Sequence, residues 1–298
     1  MIQYVANLVG TDVEPMDWAR RREAEGWHGV GVADHLWAGS TTFPHWAVTL
    51  GQIAAVTERV TIQSCFANNL LRSPVEFAQA ALTLQRASNG RFEAGLGAGW
   101  ARQETEGSGL RFPPAGERVE RYVEAITIVR QLLTHGSCTY SGAHYVIDVP
   151  CLGPTVDSPP PIIIAAGGPR SIREAAPLAD RVELTFNAIA TRLGELHPEQ
   201  LAQVGREHLN ELIDMAERAA PCVPRGIFLT VACGPSAMVT RLRETMTLGI
   251  PGLAGSPDEV AATVRSLVDH RIDRVQLTPA TPETLDLLAP LLPLSDRP

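Results

Sequence analysis

The sequence contains no lysine, so all 25 of its basic residues are arginine. This absence excludes a Schiff-base lysine and the phosphate-binding lysine of a Walker-type P-loop. The formal net charge is −8 and no basic tract occurs, which argues against nucleic acid and against an anionic membrane surface as partners. A GC-rich genome is the simplest cause of the arginine bias.

Cysteine is scarce, and no metal-binding pattern occurs. The five cysteines are odd in number, scattered, and form no C-x-x-C pair. They therefore predict neither a disulfide framework nor a zinc site, and free thiols in a reducing compartment are expected. The eight histidines are dispersed without an H-E-x-x-H motif, so no metal site is expected. The cysteines are Cys65, Cys138, Cys151, Cys222 and Cys233.

Long apolar runs are also missing. No stretch approaches the roughly 18 apolar residues of a membrane-spanning helix. The N-terminal sequence MIQYVANLVG lacks the basic region and the small-residue cleavage site of a signal peptide. It is typical of a strand, and we expect a soluble cytoplasmic protein.

The sequence does contain a regular alternation of short apolar strands and helices. Such alternation requires a parallel sheet. Eight units in one chain fit a closed (β/α)8 TIM barrel better than an open sheet, because the strands are nearly uniformly apolar and none looks like an edge. We expect a single domain over 1–298, with an excursion at about 101–161 that holds a polar loop, a helix and a hairpin. The predicted strands are 2–7, 29–33, 60–66, 91–96, 162–166, 181–185, 226–231 and 274–277.

Polar and glycine residues follow most of these strands, at the end where a barrel carries its active site. They include one titratable pair, several amides and two glycine turns, but no G-x-S-x-G nucleophile. Glycines let a flat ring approach the backbone, and a helix start after a glycine pair suits a phosphate. A planar phosphorylated cofactor fits this set, although glycine-rich turns without any ligand fit equally well. The residues are Asp34, His35, Asn68, Asn69, Gly97, Gly99, Trp100, Gly167, Gly168, Thr185 and Asn187.

Several longer strings carry a family resemblance. The chain resembles the bacterial-luciferase-like flavin and deazaflavin oxidoreductases, and within them the actinobacterial, coenzyme F420-dependent branch. The resemblance covers about residues 1–185, and no diagnostic string follows. The strings are VADHL (32–36), NNLLRSPVEFAQAALTL (68–84), NGRFEAGLGAGW (89–100), GERVERYVEAI (116–126), PPIIIAAGG (160–168) and AAPLAD (175–180).

The resemblance implies an isoalloxazine-type ring at the mouth of the barrel. It implies a non-proline cis peptide within 66–69 behind that ring, and a phosphate arm near Gly167 and Gly168. It also implies that His35 or a bound water is the acid or base, with Asp34 as the orienting partner of His35. The implied cofactor-binding residues are Ala67, Asn68, Asn69, Gly97, Gly99, Trp100, Gly167, Gly168 and Thr185.

Other residues near the strand ends allow two interpretations. His35 could be a packed, hydrogen-bonded histidine and not a catalytic one. Trp37, His45 and Trp46 could line a substrate pocket or only pack the loop after the second strand. Three arginines, which could serve an anionic cofactor tail or be solvated, are Arg72, Arg118 and Arg121.

Three functional hypotheses follow. The first is an F420-dependent oxidoreductase that moves a hydride to or from a small organic substrate. The second is an FMN-dependent monooxygenase fed by a separate reductase, and the third is an inactive ligand-binding barrel. The substrate depends on the loops 36–45 and 102–116 and cannot be derived from the sequence, whereas the resemblance makes a homodimer the expected assembly.

Overall fold

The computed structural model describes residues 2–185, 188–195, 205–246 and 252–294. Eight parallel strands pair in sequence order, and β8 pairs with β1, so the sheet closes. The predicted TIM barrel is therefore confirmed, and each predicted strand is present to within about two residues at either end. The strands are β1 Gln3–Leu8, β2 Gly29–Val32, β3 Thr61–Ser64, β4 Phe92–Gly97, β5 Ile162–Ala166, β6 Arg181–Leu184, β7 Arg225–Cys233 and β8 Arg274–Pro279.

Helices surround this barrel, and several begin where local signals predict. Ser73 caps α3, because its hydroxyl accepts a hydrogen bond from the backbone N–H of Glu76 at 3.1 Å. None of the described helices has the length and apolar composition needed to cross a membrane. The helices are α1 Pro15–Glu25, α2 Trp46–Ala54, α3 Pro74–Ala87, α4 Arg102–Gly107, α5 Ala115–His135, α6 Pro169–Ala175, α7 Ala188–Thr191, α8 Arg206–Ala219, α9 Ala237–Met246, α10 Pro257–Ser266 and α11 Thr284–Leu288.

The excursion after β4 differs from its prediction in one element. The hairpin is present as an antiparallel pair, Cys138–Ser141 with Val146–Val149. The stretch predicted as polar loop, however, contains helix α4. Its start, Ala101, has no side-chain cap, and two of its polar residues, Glu104 and Thr105, are buried. Tertiary contacts therefore stabilise a helix that local sequence signals do not predict.

The barrel has an apolar outer layer and a polar interior. Tyr4, Ala6 and Leu8 of β1 belong to the hydrophobic core, which also contains residues of the surrounding helices. Inward-facing positions of a TIM barrel usually carry bulky branched residues, but here many are polar. The expectation of nearly uniformly apolar strands is therefore wrong for the inward positions. Buried polar residues on the barrel strands include Asn7, Gln63, Glu183, Arg274 and Gln276.

Two carboxylates and one arginine dominate this interior. Arg274 donates to both carboxylate oxygens of Glu93, at 2.7 and 2.8 Å. Glu183 is completely buried, and its closest cation is the same guanidinium, 3.7 Å away. Neither oxygen of Glu183 has a hydrogen-bond partner among the described residues. A side chain on Gly226 of β7 would overlap this carboxylate, so the glycine makes the space that Glu183 fills.

Candidate active site

His35 lies just beyond the carboxyl end of β2, at the mouth of the barrel. Its Nδ1 atom is 2.8 Å from Oε1 of Glu104 on helix α4. The Glu104 side chain is 1% exposed, whereas that of His35 is 20% exposed. The pair therefore consists of a buried carboxylate and an imidazole that solvent or a ligand can reach.

Glu104 fixes the hydrogen-bonding state of this histidine. Its carboxylate also accepts hydrogen bonds from the Leu36 backbone N–H at 2.9 Å and from Asn68 Nδ2 at 3.2 Å. Because an ionised carboxylate only accepts, the proton between it and His35 belongs to Nδ1. In the neutral imidazole Nε2 then carries a free lone pair. No hydrogen bond from a described residue reaches Nε2, so this atom can exchange a proton with a ligand.

Asp34 does not orient His35, contrary to expectation. Its carboxylate binds Arg72 through Nη2 at 2.8 Å and Nε at 3.2 Å, and it accepts the backbone N–H of Asn68 at 2.9 Å. The hydrogen bond to Asp34 raises the pKa of the Arg72 guanidinium. The carboxylate that meets His35 Nδ1 is that of Glu104 and not that of Asp34. Arg72 is accordingly already paired inside the chain.

The amides after β3 connect the two carboxylates. Asn68 donates its backbone N–H to Asp34 and its side-chain Nδ2 to Glu104. The neighbouring Asn69 is buried, and its Nδ2 has no partner among the described residues. A non-proline cis peptide joins Cys65 and Phe66, one bond before the predicted span. Asn69 Nδ2 is thus a donor that the described chain does not use.

Aromatic rings flank His35. Phe43 lies with its ring centroid 5.3 Å from the imidazole, and Trp100 lies 5.8 Å away in an edge-on arrangement. Trp100 is on the predicted list, whereas Phe43 is not. Both contacts make the surroundings of the imidazole apolar on the sides that Glu104 does not occupy.

The three residues predicted for a substrate pocket are spread over different environments. Trp46 is completely buried and packs on Phe77 with centroids 5.6 Å apart, which places it in the core. His45 is exposed and precedes α2. Trp37 packs against Gly107 at the end of α4. The rings of His45 and Trp46 stack with their centroids 6.4 Å apart, but Trp37 contacts Gly107 instead, so the three side chains do not form one cluster.

The glycines at the strand ends serve close approach of neighbouring loops. A Cβ on Gly99 would lie 2.7 Å from Cγ of Leu70, and one on Gly167 would lie 2.6 Å from Cβ of Ala188. A Cβ on Gly97 would lie 3.3 Å from that of Phe66. Contacts of this kind require glycine without any ligand. Of the remaining predicted residues, Ala67 is buried and Asn187 lies outside the described residues. The backbone N–H of Gly168 donates to Ser171 Oγ, and that of Thr185 donates to the Ala166 carbonyl.

Comparison with known proteins gives the family. The model of the luciferase-like monooxygenase family matches residues 13–241. The chain belongs to this family. Its β2 end, β3 amides and excursion after β4 all lie inside the matched region.

Among curated luciferase-like relatives, an F420-dependent glucose-6-phosphate dehydrogenase from Amycolatopsis mediterranei is 33% identical over 158 residues. The match covers 52% of this chain and 47% of the relative, so the chain spans about half the length of the curated relatives it matches.

Solved structures share the fold over nearly the whole chain. An F420-dependent secondary alcohol dehydrogenase superposes with a TM-score of 0.76 at 19% identity, covering 99% of both chains. A monooxygenase from Streptomyces bottropensis gives 0.72 at 20% identity, covering 98% of both. Similar superposition on enzymes of both types means that the luciferase-like fold alone does not distinguish their chemistry.

Sequence reasoning missed Glu104 and Phe43. Glu104 is 69 residues from His35, and the pattern around it predicts a loop. The available signal was indirect: a catalytic histidine needs a hydrogen-bond acceptor for its second nitrogen. Once Asp34 is paired with Arg72, Glu104 is the carboxylate that supplies this acceptor.

Proposed function

We propose that this luciferase-like chain is an F420-dependent oxidoreductase that transfers a hydride between the deazaflavin and a small organic substrate. The observation that carries the proposal is the His35–Glu104 pair, which holds an imidazole at the barrel mouth with Nε2 unengaged. Bound F420 would supply or accept the hydride. Every such transfer to or from a C=O or C=N bond also moves one proton, and His35 is positioned to handle it.

His35 acts through Nε2, and Glu104 acts on His35. In the oxidative direction Nε2 takes the proton of the substrate O–H or N–H group, and in the reductive direction it returns that proton. Glu104 holds the Nδ1–H bond in both directions and stabilises the imidazolium that forms. Phe43 and Trp100 pack beside the imidazole, and such apolar neighbours strengthen the interaction between these two charges.

The residues present fit a planar cofactor at this mouth. Asn69 Nδ2 is a buried donor without a partner among the described residues, which suits a carbonyl on a ring system. We propose that Asn69 and Trp100 contact the ring. The phosphate arm of the cofactor would lie beside Gly167 and Gly168, which follow β5 at the same end of the barrel as His35.

Sequence similarity favours F420 over FMN. The NNLLRSPVEFAQAALTL and NGRFEAGLGAGW strings resemble the F420-dependent branch, and several curated relatives are F420-dependent dehydrogenases. We propose a substrate with an activated C=C, C=N or C=O bond, or the corresponding reduced compound.

We further propose a cytoplasmic homodimer that works beside a second F420 enzyme. All five cysteines are free thiols in the structure, which suits a reducing compartment. Each turnover would leave one F420 molecule in its other redox state, so another oxidoreductase would have to return F420 to the starting state. Sedimentation of the purified chain would test the dimer.

A cofactor titration tests the central proposal. Purified full-length chain is titrated separately with F420 and with FMN while ligand fluorescence is followed. Quenching of F420 at micromolar concentrations with no response to FMN is the expected result. Micromolar binding of FMN without any response to F420 would contradict the proposal and favour the monooxygenase alternative.

A further inference from the structure

Helix α4 carries Glu104, and its first residue is held by the turn after β6. Three successive carbonyls of that turn accept hydrogen bonds from two arginines. Arg118 Nη2 binds the Arg192 carbonyl at 2.9 Å, and Arg102 Nη2 binds the Leu193 carbonyl at 3.2 Å. The backbone N–H of Arg102 binds the Gly194 carbonyl at 2.9 Å.

A buried phenylalanine ring joins the two arginines. The guanidinium carbons of Arg102 and Arg118 lie 4.5 and 4.4 Å from the Phe112 ring centroid. Phe112 is 7% exposed and Arg118 is 6% exposed. Cation–π contacts of this kind strengthen when they are desolvated. We refer to Arg102, Phe112, Arg118 and the turn 192–194 as the clasp.

Gly194 is the residue on which the fit of the clasp depends. Its φ is +94°, a conformation that favours glycine. A Cβ at this position would lie 2.7 Å from Cβ of Arg102 and 2.8 Å from two ring carbons of Phe112. Any larger residue would therefore push the turn away from the start of α4.

The clasp holds the first residue of α4, whereas the loop after β2, which carries His35, contacts later residues of this helix. Glu104 and Gly107 contact Leu36 and Trp37, which follow β2. The clasp ties Arg102 to the turn after β6. Strands β2 and β6 are four positions apart in an eight-strand ring, on opposite sides of the barrel. Helix α4 is thus fixed from both sides of the mouth.

We propose that the clasp positions Glu104 against His35 and that Gly194, Phe112 and Arg118 are positioning residues for the proton-transfer step. Arg102 is two residues before Glu104, so a shift of the first turn of α4 moves the carboxylate directly. A displacement of about 1 Å in a catalytic group can cost about 10²-fold in rate. The inference rests on the proposed role of His35, but its structural part can be measured without turnover.

The test compares Gly194→Ala with Gly90→Ala in the full chain. Gly90 has φ +86°, and a Cβ there would meet nothing within 4 Å, so the control carries the backbone strain without the contact. Imidazole 15N signals of His35, assigned through their loss in His35→Asn, report which ring nitrogen is protonated in the free protein. F420-dependent turnover is measured in parallel.

In Gly194→Ala we expect mixed His35 tautomers and a kcat about 10²-fold lower, with F420 affinity and substrate KM nearly unchanged. Gly90→Ala should keep the single Nδ1–H tautomer and the wild-type kcat. Glu104→Gln should lower kcat similarly, and adding Gly194→Ala to it should cost little more, because both changes remove the same interaction.

Equal 15N signals in the two glycine variants would overturn the proposal, as would fully additive losses in the double variant. Should Gly194→Ala not fold, Phe112→Leu tests the same contact, because it keeps an apolar side chain and removes the ring. Failure of every sample to turn over with F420 would sink the proposed function, while the 15N comparison would still decide whether the clasp positions Glu104.

Discussion

Two buried glutamates of this barrel have opposite surroundings. Glu104 at the mouth accepts hydrogen bonds from His35, Leu36 and Asn68. Glu183 inside the barrel has no hydrogen-bond partner among the described residues, and it shares its closest cation with Glu93. Burial alone therefore does not decide what a carboxylate does, because the donors around it decide whether its charge is stabilised.

The difference separates a carboxylate that is held by hydrogen-bond donors from one whose charged form burial disfavours. Burial is the largest influence on Glu183 and raises its pKa from 4.5 to about 7, and the nearby Arg274 opposes this shift only in part. Glu104 instead has donors on both oxygens and serves as a fixed acceptor. Substitutions at the two sites should change different measured quantities.

The largest effect is expected at the mouth, in His35→Asn. Asparagine can still donate to Glu104 but cannot take up a proton, so the network stays and the acid–base function goes. Turnover should fall by about 10²- to 10⁴-fold, while F420 affinity, measured by fluorescence, stays nearly unchanged. Turnover equal to wild type would refute the role of His35.

The next effect is expected inside the barrel, in Arg274→Met. This change removes the cation that Glu93 and Glu183 share, and breaking a buried pair from one side typically costs about 3–5 kcal/mol. Urea unfolding at pH 8 would measure the loss. Arg20→Ala is the matched control, since Arg20 is 55% exposed in its pair with Asp17, and surface pairs contribute about 0–1 kcal/mol. Equal losses of unfolding free energy in Arg274→Met and Arg20→Ala would contradict the difference between the buried and the exposed ion pair.

The smallest effect is expected from Glu183→Gln, and it depends on pH. The folded carboxyl keeps its proton up to about pH 7, whereas the unfolded one releases it near 4.5. The free energy of unfolding therefore falls as pH rises through this window, by up to roughly 3 kcal/mol. Glutamine cannot ionise, so the variant should be more stable than wild type at pH 8 and similar to it at pH 4.5. Parallel stability curves from pH 4.5 to 8 would contradict this.

Local signals in the sequence are sufficient to predict the barrel strands and the ends of several helices. Ser73 followed by Pro74 marks the start of α3, and Gly26 ends α1 with φ +89°. Such signals act within one helical turn, so they can be recognised without knowing the fold. The eight-fold alternation then defines a closed barrel, because the strands show no edge.

The site was predictable only where one segment supplied it. His35 and Asn69 lie in the segments that follow β2 and β3, so the strand pattern points to them, whereas Glu104 reaches His35 from a helix that long-range contacts stabilise. Asp34 was assigned the wrong neighbour because its partner Arg72 is 38 residues away. Trp46 is buried only because the assembled core surrounds it, and the residues next to it in the sequence do not predict this burial.

The space that Gly226 leaves for Glu183 has a consequence for engineering this barrel. Enlarging the glycine alone forces a clash, and shortening the glutamate alone leaves a void beside Arg274. Only a simultaneous exchange conserves the filled volume, for example alanine at 226 with a smaller uncharged residue at 183. The two positions, on neighbouring strands, should therefore behave in a combinatorial library as one unit of selection, and each should tolerate a change of side-chain volume poorly when varied by itself.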